Sequence, residues 1–162
     1  FPNVKSIQIV FNIFRQRPAE QFLREASTRN VAVIARVPLA SGLLTGSIKK
    51  NTKFPPNDHR NFNIKGKSFD IGETFSGVSL EKGLVAVEKL KELLPENFSL
   101  ADLALKWILS HKEVTVAIPG AKNKFQVNSN ARVTDLNDIM AIIPKIKSIY
   151  DEYIKQDVHH RW

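Results

Sequence analysis

Apolar and polar positions follow two different periods along this chain, and the changes between them mark out its elements. Ser6 to Phe11 is β-branched and aromatic, which predicts a buried strand. Pro18 stands where a helix would open, with Glu20 in the first turn, Phe22, Leu23 and Ala26 at helical spacing, and Asn30 placed to stop it. Val31 to Val37 is then almost continuously apolar, the pattern of a parallel strand covered on both faces. Strand, helix and strand in roughly thirty residues make one βαβ unit, whose crossover is right-handed.

The periodicity then lapses. Thr45 to Gly77 is rich in Lys, Asn, Pro, Gly and Phe, so residues 45–78 are expected to form a long functional loop, often a lid. Its phenylalanines, Phe54, Phe62, Phe69 and Phe75, are expected to anchor it. Ser79 caps a helix with Leu80, Leu84, Val87, Leu90 and Leu94 on one face, and Pro95 follows it. Ser99 with Asp102 has capping-box spacing, and Leu103, Trp107 and Ile108 give the inner face of the next helix. A third strand, Val114 to Ile118, leads through Pro119-Gly120 into a helix over 123–132. A last stripe runs from Ile139 to Tyr153, interrupted by Pro144, where a helix kinks or begins afresh.

Three strands, each followed by helix, with helices enough to cover both faces, define an α/β fold. It is an incomplete one, since a closed (β/α)8 barrel needs roughly 250 residues and this chain has 162. The chain is expected to start within a longer protein.

Composition narrows the function only coarsely. Lys plus Arg number 24 against 16 Asp plus Glu, a net charge of +8, which favours anionic partners without choosing among them. There is no cysteine, so thiol chemistry is excluded, and a reducing, cytoplasmic location is the expectation. No apolar run approaches ~20 residues, so no membrane partner is expected. The four histidines have no metal-ligand spacing with nearby carboxylates.

Two segments carry chemistry. Ile118-Pro119-Gly120-Ala121-Lys122-Asn123 opens a helix, where unpaired N–H groups and the dipole attract anions. Lys122 and Lys124 stand at its mouth, with the amides of Asn123, Gln126 and Asn130 behind them. An ordinary strand-to-helix turn in a basic protein is the alternative. After the second strand comes Pro38-Leu39-Ala40-Ser41-Gly42, whose small residues let backbone approach a ligand closely, as a pyrophosphate site requires. Two strand ends with matching anion-friendly loops are what the C-terminal face of a parallel sheet or barrel offers.

Val33 to Gly46 resembles the seventh-strand segment of the aldo-keto reductases, and Ile118 to Asn123 with Gln126, Val127 and Asn130 resembles their eighth. Arg60-Asn61-Phe62-Asn63, Phe69 to Gly77 and the closing His159-His160-Arg161-Trp162 look like a bacterial branch of that family. The resemblance covers essentially residues 1–162. It implies the C-terminal part of a (β/α)8 barrel, strands six to eight with their helices, and NADP(H) as cofactor. Gln8 would then match the glutamine that bonds the nicotinamide carboxamide. Leu39, Ala40, Ser41 and Gly42, following Pro38, would present backbone to the pyrophosphate, and Arg60 would clamp it from above. Gly120, Lys122, Gln126 and Asn130 would hold the adenosine end and its 2′-phosphate.

Some positions depart from the family pattern. Arg36 stands where an aromatic ring often stacks on the nicotinamide, a place a guanidinium plane can also take. Lys122 replaces a common serine, and Ser129 a glutamate often bonded to adenine. The family's Asp, Tyr, Lys and His, which protonate the carbonyl oxygen, have no counterpart in this sequence. The expected function is therefore the cofactor-binding C-terminal portion of an NADP-dependent reductase of aldehydes or ketones. Its partners would be a small carbonyl substrate and a missing N-terminal barrel half or another chain. A truncated, non-catalytic nucleotide-binding or interaction module is the alternative, and nucleic-acid binding ranks below both.

Overall fold

Three parallel strands carry the fold: β1 (Ser6–Val10), β2 (Ala32–Arg36) and β3 (Val116–Ala117), in the order β1-β2-β3. The computed structural model describes residues 3–161; Phe1, Pro2 and Trp162, the last with its place in the closing motif, lie outside the described residues. Gln8 pairs with Ile34, and Ile34 with Val116, so these three share one face of the sheet. The third strand is shorter than expected. Only two residues form ladder, flanked by N–H groups of Thr115 and Ile118 donating to Val33 and Ala35 carbonyls at 2.9 and 3.0 Å.

The helices are α1 (Phe22–Thr28), α2 (His59–Phe62), α3 (Leu80–Lys91), α4 (Leu100–Leu109), α5 (Lys124–Arg132), α6 (Ile143–Ile149) and α7 (Lys155–Val158). Asn30 is left-handed, at φ 54°, and ends the first crossover as its amide side chain allows. Pro18 opens a separate 3-10 turn, Arg17–Ala19, because Gln21 at φ −141° breaks the chain direction before α1. The Ser99–Asp102 capping box forms in full. Pro144 lies in the first turn of α6, so a helix begins afresh there and runs through a π turn, Tyr150–Ile154, into α7.

The helices cover one face of the sheet, not two. Strands that advance in chain order, joined by right-handed crossovers, place each crossover on the same side. Ile9, Val33 and Ala35 join a single core with Leu23, Leu103 and Ile108. On the opposite face Gln8 is exposed, and Val116 and Ile118 remain 42% and 45% exposed. No helix among the described residues is long and apolar enough to cross a membrane.

The segment 45–78 is more structured than its composition predicts. It contains α2 and 3-10 turns at Ile71–Glu73 and Phe75–Gly77. Phe75 is fully buried with Phe54 packed at 6.0 Å, whereas Phe62 and Phe69 pair edge-on with about two-fifths of each exposed. A Cβ at Gly72 would lie 2.1 Å from a guanidinium nitrogen of the buried Arg15, which would have to shift to admit it.

Candidate functional site

Where β2 ends, the backbone enters conformations that side chains resist. Val37, Ala40 and Ser41 have φ of 52°, 47° and 57°, and Gly42 has φ 92°. Left-handed residues other than glycine cost about 1–2 kcal/mol each, so their surroundings must hold them. Asn12, fully buried just after β1, does part of this. Its side-chain amide donates to the Val37 carbonyl at 2.8 Å and to Ser76 Oγ at 2.9 Å. Ser76 lies in a second left-handed turn with Phe75, so one amide fastens two strained turns together. Ser41 Oγ donates to the Glu73 carbonyl at 2.9 Å and accepts from the Phe75 N–H at 3.2 Å. The loop is thereby docked onto the turn.

Arg60 is aimed by its own helix start. Asp58 caps α2, accepting from the Arg60 N–H, and its two oxygens also take the guanidinium at 3.0 and 2.7 Å. The guanidinium hydrogen bonds hold the Asp58 carboxyl down at about 2 and raise Arg60 in turn. Phe54 lies beneath the guanidinium carbon, 4.5 Å from ring centroid. The remaining arm reaches the Ser41 carbonyl at 3.4 Å. Arg60 therefore stands over the turn after β2.

α5 begins close to where the sequence places it, and two of the amides read there as ligand groups hold backbone with their oxygens instead. Asn123 caps it by accepting from the Gln126 N–H at 2.9 Å, and Gln126 Oε1 accepts from the Lys122 N–H at 2.7 Å. Among the described residues neither Lys122 nor Lys124 makes an ion pair. Gly120 has open space where a Cβ would project.

These pieces border one groove of about 1150 Å³. Pro38, Leu39, Ser41 and Gly42 line it from β2, Arg60 from the loop, and Gly120, Lys122, Gln126 and Asn130 from the end of β3 and α5. Ala40, Arg36 and Gln8 do not line it. Ala40 is fully buried, packed into the core. Arg36 lies beside the groove, its guanidinium held by both oxygens of Glu73; its charge is taken by a carboxylate 37 residues away. Gln8 lies on the uncovered face of β1.

Asn12, Asp58 and Glu73 escaped the sequence reading. Asp58 alone had a local signal, an acidic cap before a short helix. Asn12 and Glu73 act across 25 to 64 residues of chain, which no local pattern reports.

The model of the Aldo/keto reductase family matches residues 2–150, and the chain belongs to that family. It is 27% identical over 131 residues to Aldo-keto reductase YhdN of Bacillus subtilis, covering 80% of this chain and 37% of that protein. It is 22% identical over 152 residues to Aldo-keto reductase yakc [NADP(+)] of Schizosaccharomyces pombe, covering 91% of this chain and 42% of that one. The glycerol dehydrogenase AKR11B4 structure from Gluconobacter oxydans superposes with a TM-score of 0.71 at 27% identity, over 94% of this chain and 43% of that one. The chain thus spans under half the length of the relatives it matches, and its three strands with their helices form part of a barrel rather than a closed one.

Proposed function

We propose that this chain is the C-terminal, cofactor-binding portion of an NADP-dependent aldo-keto reductase that reduces aldehydes or ketones to alcohols. The observation that carries this is the convergence on one groove of the strained turn after β2, Arg60 and the α5 start with Lys122. Two cations at different points along a groove, with small residues between them, suit a dinucleotide better than a single phosphate. The resemblance of the chain to a relative whose name carries NADP(+) supports the same choice.

In this reading the turn Leu39–Gly42 gives backbone to the pyrophosphate while Arg60 covers it. Lys122 meets the 2′-phosphate as a point charge, and Gln126 and Asn130 supply amides to the adenosine. Arg36 contributes by holding Glu73, which keeps that carboxylate paired beside an anionic ligand. Bound there, the reduced cofactor would supply the hydride for carbonyl reduction. The acid–base residues that finish the reaction stand outside this chain, and residues 45–78 act as the loop over the groove within a partial barrel spanning 1–162.

The test is consumption of NADPH by the full-length protein across a panel of small aldehydes and ketones. Saturable turnover is expected. Tight NADPH binding without turnover on any carbonyl would favour a non-catalytic nucleotide-binding module instead. No NADPH binding would remove both readings.

A further inference from the structure

The face that α5 turns to the groove reads as an ordered set. Phe125, Gln126, Ser129 and Asn130 recur at i, i+1, i+4 and i+5 along α5, Lys122 stands just before its Asn123 cap, and all five line the groove. Four of them are polar. Phe125 is not, and at 81% exposed it is the most exposed large hydrophobic side chain among the described residues. α5 has no buried residue, so packing within the described residues does not account for an aromatic ring in its first turn. Within the described residues Phe125 has no ring or cation partner. The other exposed large apolar residue of α5, Val127 at 54%, does not line the groove.

We propose that Phe125 is the stacking platform for the purine ring of a nucleotide whose ribose phosphate is held by Lys122. This rests on the reading of the groove as a nucleotide site and adds a specificity-determining residue to it. A phenyl face in the first turn of α5, with a lysine just before the helix cap on the same groove, offers a flat apolar contact and a point charge, the pairing a phosphorylated purine nucleoside presents. Gln126 shares that face; its oxygen is engaged by the Lys122 N–H, which leaves its NH2 group as the donor to the ligand. Ser129, one turn beyond Phe125, is too short to reach across a base. Ring position therefore depends on stacking more than on hydrogen bonds.

The experiment is calorimetric titration of the full-length protein, wild type, F125A, F125L and F125W, with two probes. One is 2′,5′-ADP, which carries purine and phosphates; the other is nicotinamide mononucleotide, which has a phosphate and no purine. F125A is expected to weaken 2′,5′-ADP about tenfold and F125W to restore it, with the mononucleotide unchanged. F125L keeps apolar bulk without a ring, and it should behave as F125A does. Affinity of F125A for 2′,5′-ADP within about twofold of wild type, or equal losses on both probes, would overturn the role of Phe125 alone. Failure of the wild type to bind either probe would overturn the nucleotide reading of the groove, and this assignment with it.

Discussion

The two faces of the three-stranded sheet come from alternate residues of the same strands, yet they are built to opposite ends. One face carries Ile9, Val33 and Ala35 into a core closed by α1, α3 and α4. The other carries Gln8, Ile34 and Val116, with Ile118 beyond, and no helix of the described residues lies over it. The covered face holds the chain together. The open face belongs to the inside of a barrel of which these strands form a part, and the groove sits at the rim where β2 and β3 leave it. Stability and ligand binding are therefore carried by different residue sets, which substitution can separate.

The largest effect should fall on the covered side. Leu103→Ala removes a fully buried side chain of α4 and is expected to cost about 2–5 kcal/mol in urea unfolding. A loss as small as that of a surface substitution would break the contrast between the faces. Next comes Asn12→Ala, which unfastens the two left-handed turns and should cost about 1–3 kcal/mol. It should also weaken ligand binding although Asn12 does not line the groove, as a titration of the purified variant would reveal. Val116→Ala on the open face should change stability by less than about 1 kcal/mol in this chain. In the full-length protein its cost should rise, because there the barrel interior encloses it; equal costs in both would count against that placement.

A smaller effect tests the rim by pH. The Asp58 carboxyl is held at about 2 by Arg60, below its ordinary 3.8. A depressed carboxyl stabilises the fold fully above its unfolded value and loses that contribution as the pH falls through the folded one. The stability gap between wild type and Asp58→Asn should hence be constant from neutral pH down to about 4 and shrink toward pH 2. Denaturant midpoints across that range measure it, and a gap that grew on acidification would have the wrong sign.

Much of the fold was legible because its signals are local. The apolar run of β2 and the Ser99–Asp102 spacing each act within a few residues, and each appears in the structure. The one-sided layering was not legible, since a strand buried on one side by helices and on the other by a barrel interior has the same apolar run. The shortness of β3 depends on its pairing with β2. In the groove, small residues and cations announced themselves, while Glu73 claimed Arg36 across 37 residues without any local sign. Ala40 shows the same limit: small size marked the turn, but its own left-handed geometry and that of Ser41 decided which way its buried methyl faced.

That the groove holds a phosphorylated nicotinamide dinucleotide with Lys122 on its 2′-phosphate is open to one direct measurement. It is the affinity of full-length wild type and Lys122→Glu for NADPH and NADH, followed by cofactor fluorescence. A loss of about tenfold or more is expected for NADPH, with NADH nearly unchanged. Equal losses for the two cofactors, or none for NADPH, would contradict it.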